Sequence, residues 1–315
     1  MNNKQNAVSL SRAPLVIISV VVFLIWLALW SVATLMEYAP HTSIWFPPAG
    51  LTFALLLVLT WRAIPGIFLA ILVTGGLANV LYGSQQSFLD TLLSSACFSI
   101  SHIGVYGLTA LLLRFVLVNV AKRLTQKVLW FLLLSAVGSF AAAYSGISAL
   151  VMSELIAAED MQNLLLPWWI GDLAGVVILS PMVLAVMSSN HSEFKELLNL
   201  QGERTPLVDL QSVLLKILIA IVLLASTMAL TFWLEHIAIA FSIFLIAVPI
   251  IWVVREDGST ATGVMLLTLS FFTAILIDVF AMMEYAALYQ FALIFMAAVT
   301  WLSLATAKEK QLTGA

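Results

Sequence analysis

Ten apolar runs, each close to the ~20 residues that an α-helix needs to cross a bilayer, constrain this chain's fold more than any motif does. They are Pro14–Met36, Ile44–Trp61, Ala63–Leu81, Thr91–Leu113, Val128–Val151, Pro167–Met187, Val213–Leu234, Ile237–Val254, Thr260–Phe280 and Tyr285–Thr306. With 63% of its residues apolar and 9% charged, the chain departs far from soluble domains, which carry roughly 25% charged residues. A transmembrane barrel would instead show alternating segments of about ten residues, and these runs are continuous. The fold class is therefore read as an all-α, polytopic transmembrane helical bundle of about 8–10 spans, since hairpins this tight can merge.

Charge placement gives an orientation. Short cytoplasmic loops are enriched in Lys and Arg. With a cytoplasmic amino terminus, all 13 basic residues fall at cytoplasmic ends, from Lys4 and Arg12 through Arg62, Arg114, Arg123, Lys216 and Arg255 to Lys310. The opposite ends carry Glu37, Asp90, Glu154, Glu159, Asp160, Glu235 and Glu284. An even number of spans with both termini cytoplasmic follows. The expected layout is an amino-terminal tail (1–13), a membrane domain (14–306) with a cytoplasmic loop at 188–212, and a carboxy-terminal stub (307–315). Pro14–Met36 is too long for a signal-peptide core and reads as the first anchor. Within the loop, Ser192–Leu200 alternates acidic and apolar residues and suits a short surface helix. Cys97, the single cysteine, excludes an internal disulfide and is expected to pack. A net charge of −3 gives no reason to expect a nucleic-acid partner.

Small residues mark where helices meet. Gly66, Ala70, Thr74 and Ala78 recur every four residues, as do Gly138, Ala142 and Gly146, and both sets read as packing seams.

Two segments break the pattern. In His41-Thr-Ser-Ile-Trp-Phe-Pro-Pro-Ala-Gly50, Pro47 and Pro48 cannot both sit inside a regular helix, although proline suits a first turn. Ile44 to Phe46 is therefore expected to enter the membrane as extended chain before a half-helix begins, making the second span a broken one. Extended backbone at depth is tolerated only where protein buries it or a wet cavity solvates it, so a pocket is expected here; an interfacial Trp anchor is the plainer reading. The second segment, Pro167-Trp-Trp-Ile-Gly-Asp-Leu-Ala-Gly175 followed by Ser180-Pro181, carries Asp172 inside a span. Ionisable groups at such depth usually face the bundle interior or a wet cavity, which makes Asp172 a functional candidate. Its structural alternative is a hydrogen bond to Asn79 or to exposed backbone of the broken span. With no base predicted at depth, a protonated, cation-bound or partly solvated Asp172 is left open. His102, among Ser94, Ser95, Ser99 and Ser101, reads as an interhelical hydrogen-bonder, and Asp278 lies near an outer helix end.

No Walker loop, dinucleotide fingerprint or zinc-binding helix occurs, and His41, His102, His191 and His236 are scattered, so neither a metal, a cofactor nor a catalytic constellation is expected.

These segments resemble the integral membrane sensor domains of the MASE type, first class, found at the amino termini of bacterial histidine kinases and diguanylate cyclases. Ile44-Trp-Phe-Pro-Pro-Ala-Gly-Leu51 is similar to the family's Trp-x-Pro-x-Gly-Leu signature. Trp61-Arg-Ala-Ile-Pro65 and Asn79 resemble the turn and the asparagine that follow it. Trp168-Trp-Ile-Gly-Asp172, Gly175 and Pro181 resemble its Trp-x-x-Asp-x-x-Gly…Pro motif. The resemblance implies a non-enzymatic sensor in the bacterial inner membrane that passes an extracytoplasmic or membrane-derived signal through its last helix to a cytoplasmic kinase or cyclase. No such module is present up to Ala315, which leaves a sensor fragment or a stand-alone domain acting through a partner, with a homodimer among the open arrangements. The candidate ligand-binding or signalling residues are Trp45, Pro47, Pro48, Gly50, Asn79, Trp168, Trp169, Asp172, Gly175 and Pro181. The expected partners are the lipid bilayer, a small-molecule ligand and a cytoplasmic signalling module. Acidic outer loops weakly disfavour an anionic ligand. The rival reading is a small-molecule transporter, since broken helices and acids near the midplane are transporter features, although the halves show no internal similarity.

Overall fold

The computed structural model describes residues 12–187 and 210–313; the surface helix expected at Ser192–Leu200 lies outside them. Helix α1 (Arg12–Ala33) leads through a 3₁₀ turn into a two-stranded antiparallel hairpin, β1 (Glu37–Ala39) and β2 (Thr42–Ser43). Then come α2 (Pro47–Leu59), α3 (Ile64–Leu81), α4 (Phe88–Asn119), α5 (Leu124–Met152) and α6 (Met161–Ala174). A π turn at Gly175–Leu179 joins α6 to α7 (Ser180–Met187). The second part holds α8 (Leu210–Leu234), the short α9 (Ile237–Ala240), α10 (Ala247–Glu256), α11 (Gly258–Val279) and α12 (Met283–Thr313).

Among the described residues, nine helical stretches are long and apolar enough to cross a membrane. One of them, Pro47–Leu81, contains two limbs. Thr60 takes φ 55°, ψ −131° and breaks the helix after α2. A Cβ on Gly66, near the start of α3, would meet Ser19 and Val22 in the first half of α1, while Tyr82 just past α3 reaches Glu37 just past α1. The helices α1 and α3 therefore run alongside each other. Because α2 also starts beside the hairpin, its direction opposes theirs, and the two limbs are separate crossings.

The hairpin turns at Pro40-His41, with proline at the first corner and His41 at φ 66° at the second, the arrangement of a type II turn. Beyond β2 the chain stays extended, as its sequence suggests. Ile44 N–H donates to Met36 O at 2.9 Å and Phe46 N–H to Gly171 O at 3.1 Å, so this buried stretch is paired where no helix can pair it. Both prolines occupy the first turn of α2, where amide donors have no intrahelical acceptor.

Glycines bring that segment against α6. A Cβ on Gly171 would lie 2.1 Å from Ser43 O, one on Gly175 2.2 Å from Phe46 O, and one on Gly50 2.0 Å from Gly175 O. Only hydrogen at these positions lets the backbones touch. Pro181 has no N–H for a carbonyl one turn back, and the Trp301 indole N–H of α12 donates to Val177 O at 3.1 Å instead. The Ser180 hydroxyl donates to Gly50 O at 2.8 Å. At the end rich in basic residues, buried Lys216 joins α8 to the α10–α11 turn through Glu256 (2.7 Å) and Asp257 (2.6 Å).

Several expectations are revised. Cys97 is exposed on the apolar surface of α4 and does not pack inside. The run starting at Ile237 holds a 3₁₀ segment, Phe241–Ile246, between α9 and α10, a second irregular crossing that uniform hydrophobicity conceals. Helix α6 begins at Met161, before Pro167, so Asp172 lies eleven residues in, roughly 16 Å along the axis at 1.5 Å per residue. Of the α3 seam, Gly66 packs on α1 whereas Thr74 and Ala78 face a cavity. The α5 seam does pack: Gly138 meets Thr109, and Gly146 meets Phe98 and Trp168.

Candidate functional site

A partly enclosed cavity of about 100 Å³ opens near the hairpin end of the bundle. It exists because three helices turn one face each toward a space that the extended Ile44–Phe46 segment does not fill. Helix α1 contributes Trp26, Trp30 and Ala33, the 3₁₀ turn after it Thr34, and the start of β1 Glu37. Helix α3 contributes Ile71, Thr74, Gly75, Ala78 and Asn79, with Tyr82 just past its end, and α4 contributes Thr91, Ser94, Ser95 and Phe98. Both sets follow the three- and four-residue spacing of a helix face. Phe46, His41, Leu150 and Trp168 complete much of the remaining wall.

The polar groups sit toward the hairpin. The Tyr82 hydroxyl donates to the Glu37 carboxylate, as does the His41 backbone N–H, and the His41 ring lies edge-on to Tyr82 with centroids 4.5 Å apart. Burial raises the Glu37 pKa above the usual carboxylate value, an effect that the Tyr82 and His41 hydrogen bonds oppose. Burial lowers the His41 pKa to about 4, keeping the ring neutral at physiological pH. The Tyr82 phenol is raised by burial and by the carboxylate it bonds. Asn79 Oδ1 is buried and has no hydrogen-bond partner among the described residues.

A second polar group lies deeper. The Trp26 indole N–H donates to Thr52 Oγ1 at 3.1 Å, and His102 Nε2 lies 3.4 Å from the same oxygen. The His102 ring stacks on Phe98 and meets Tyr106 edge-on at 4.9 Å. Tyr106 then donates to Asp172 Oδ2 at 2.8 Å, while its hydroxyl lies 3.4 Å from Ser139 Oγ. Asp172 is fully buried, and its Oδ1 has no hydrogen-bond partner among the described residues. Contacts thus run from the cavity wall at Trp26 through Thr52, His102 and Tyr106 to a buried carboxyl. The arrangement offers a chain of polar groups with one acceptor to spare, next to a π turn of the kind that recurs at functional sites.

The residues expected from sequence divide into groups. Asn79 and Trp168 line the cavity. Pro47, Gly50 and Gly175 meet in the seam between α2 and the α6–α7 segment, while Pro48 is buried in the first turn of α2 and Pro181 at the start of α7. Trp45 is buried on another side, edge-on to Phe271 of α11. Trp169 is half-buried against α5, its indole N–H donating to Ala136 O at 2.9 Å. Asp172 lies behind the cavity wall, bonded to Tyr106 and not to Asn79 or the broken span.

Sequence reasoning did not single out Trp26, Trp30, Tyr82 or Tyr106. Trp26 and Trp30 share a helix face with Ala33, Thr34 and Glu37, and Tyr106 follows His102 by one turn; that spacing was the available signal. Among the described residues no group of three His, Cys, Asp or Glu is placed to hold a metal ion.

A protein-family model, MASE1, matches residues 14–282 of the chain. No curated protein and no solved structure matches it.

Proposed function

The chain belongs to the MASE1 family of membrane-embedded sensory domains, and from that premise we propose that the cavity is the recognition site and α12 the element that carries the signal away. Occupation of the cavity by an extracytoplasmic or membrane-derived small molecule changes the position of α12, which passes the change to a cytoplasmic kinase or diguanylate cyclase. In this reading the hairpin end faces outward and both termini are cytoplasmic, as the distribution of Lys and Arg supports. The membrane is the bacterial inner membrane.

One observation carries the reading: the short segment that lends Thr34 and Glu37 to the cavity wall rests on the last helix through Met36. Glu37 and Thr34 line the cavity, and Met36 between them is fully buried against α12, where Gln290 Nε2 lies 3.3 Å from its sulfur. Trp301 holds Val177 in the π turn, and the Glu309 carboxylate takes the Thr125 N–H (2.8 Å) and hydroxyl (2.9 Å) at the start of α5. A helix held at three heights cannot shift at one without straining the others. A ligand shifts such an equilibrium only if it prefers one arrangement, and a cavity lined by the residues on either side of Met36 supplies that preference. A transporter reading needs a polar path to the other end, but the tract below the cavity ends in an Asp172 sealed by packing.

The test is a distance measurement on the full chain in nanodiscs, with Cys97 replaced by Ala and spin labels at the exposed positions Val120 and Ala307. Filling the cavity with Ala78→Phe is expected to displace the distance distribution, and Met36→Ala to weaken that response. Unchanged distances in Ala78→Phe would refute the coupling.

A further inference from the structure

The chemistry of the cavity wall narrows what it takes. Six large aromatic side chains line it, namely Trp26, Trp30, Phe46, Tyr82, Phe98 and Trp168, and among the described residues no lysine or arginine lines it. The one side chain there able to carry a full negative charge at neutral pH is Glu37, fixed in place by Tyr82 and by the His41 amide. Asn79 adds an amide oxygen that is buried and unpartnered among the described residues. Aromatic faces attract cations through their quadrupoles, most strongly where water is excluded, and a carboxylate and a free carbonyl are acceptors in search of donors. An anion would find no cationic partner among the described residues of this wall, and a neutral hydrocarbon would leave Asn79 Oδ1 unanswered.

We propose that the cavity binds a compact organic ammonium ion, its head group held between indole faces and the Glu37 carboxylate with an N–H directed to Asn79 Oδ1. The bulk of the molecule lies against Phe46, Phe98 and Trp168. Burial raises the Glu37 pKa, and a cation placed beside the carboxylate would oppose that shift by favouring the charged form. The ammonium group can belong to a free amine or to a phosphatidylethanolamine head group, since the hairpin end meets the membrane surface in the orientation proposed above. The assignment rests on reading the cavity as the recognition site and specifies what is recognised there.

Three molecules with one carbon skeleton test it: 3-methylbutylamine, 3-methylbutan-1-ol and 3-methylbutanoate, cationic, neutral and anionic at pH 7. Their binding is measured by calorimetry on the full chain in phosphatidylglycerol nanodiscs, with empty discs subtracted. The amine is expected to bind at least about tenfold more tightly than the alcohol, which one desolvated cation–π contact accounts for, and the carboxylate not at all. Glu37→Gln should abolish the preference for the amine, while Tyr82→Phe, which leaves the carboxylate, should keep it. Equal binding of amine and alcohol, tighter binding of the carboxylate, no binding of the amine, or an amine preference that survives Glu37→Gln would each overturn the assignment. Weaker amine binding in phosphatidylethanolamine discs identifies the lipid as the source of the ammonium; unchanged binding identifies a free amine. If the amine binds and the distance between labels at positions 120 and 307 stays fixed, the ligand class stands and the sensory reading fails. If Ala78→Phe moves the labels and the amine does not bind, the reverse holds.

Discussion

Replacing Gly175 by alanine should loosen the seam that holds the broken second span. The added Cβ would stand 2.2 Å from Phe46 O and 2.9 Å from Phe46 C, whereas ordinary contact begins at 3.4 Å, so the two backbones must separate by about 1.2 Å. No rotamer change absorbs this, because both partners are main chain. The Phe46 N–H to Gly171 O bond, 3.1 Å long one turn away, would stretch with it. Overpacking of a filled interior costs about 1–3 kcal/mol, and a backbone-to-backbone clash belongs at the upper end. Gly107→Ala supplies the control. It is the same change in the interior of α4, where a Cβ meets nothing within 4 Å, and relief of glycine's helix penalty should leave it neutral or stabilise it by roughly 0.5–1 kcal/mol. Unfolding of both variants in mixed micelles, followed by tryptophan fluorescence, compares the two signs directly. Equal stability of Gly175→Ala and Gly107→Ala would refute the account of the seam. Because Phe46 also lines the cavity, Gly175→Ala should in addition lower occupancy of the proposed recognition site, which a change confined to the lipid-facing surface would not do.

Trp301→Phe should cost about 1–3 kcal/mol by leaving the Val177 carbonyl without its donor, and Pro181→Ala, which restores a backbone N–H nearby, should recover part of that loss in the double variant; additive costs in a double-mutant cycle would show that the two residues are not linked. His41 sets a pH limb. Its imidazole is held neutral down to about pH 4 against an ordinary value of 6.5, so the unfolded chain binds the extra proton in that window and stability falls as pH drops from about 6.5 to 4. Glu37 acts in the opposite sense, since its raised pKa makes the folded state the better proton acceptor just above pH 4.5. His41→Asn, which keeps a residue tolerant of positive φ at the turn, should remove the His41 limb; an unchanged acid profile in unfolding titrations would refute the assignment.

The crossings were legible in the sequence because bilayer thickness imposes one length on every span, and the hairpin–proline break was legible because proline forbids its alternative. The cavity was not. A helix face with Thr74 and Ala78 on it has the same small-residue spacing whether it meets another helix or an empty space, and only the position of the extended segment decides between them. Asp172 stood out as an acid at depth, but its partner did not, since tyrosine inside a span raises no cost that marks it. The π turn at Gly175–Leu179 and the 3₁₀ stretch at Phe241–Ile246 escaped for a related reason: both lie in uniformly apolar sequence, where hydrophobicity has no period to betray a change of helical pitch.

The glycine seam and the polar chain explain each other. Backbone entering a membrane without helical pairing needs a close neighbour to satisfy it, and Gly171 and Gly175 are small enough to bring α6 to that distance. The same approach fixes Asp172, one residue after Gly171, on the face of α6 toward Tyr106 and therefore toward His102, Thr52 and the cavity wall at Trp26. Val177, in the next turn, is the residue that Trp301 of α12 holds. In the proposed reading, a displacement of Phe46 by an occupant of the cavity would pass to one short piece of backbone, Gly171–Val177, which carries at once the buried carboxyl and the grip on the last helix. A rigid, fully paired helix would resist such a push. A π turn followed by a proline, with a side chain of another helix standing in for the missing amide, has fewer bonds to break in shifting, which is the property the proposed reading requires of the element between ligand and output.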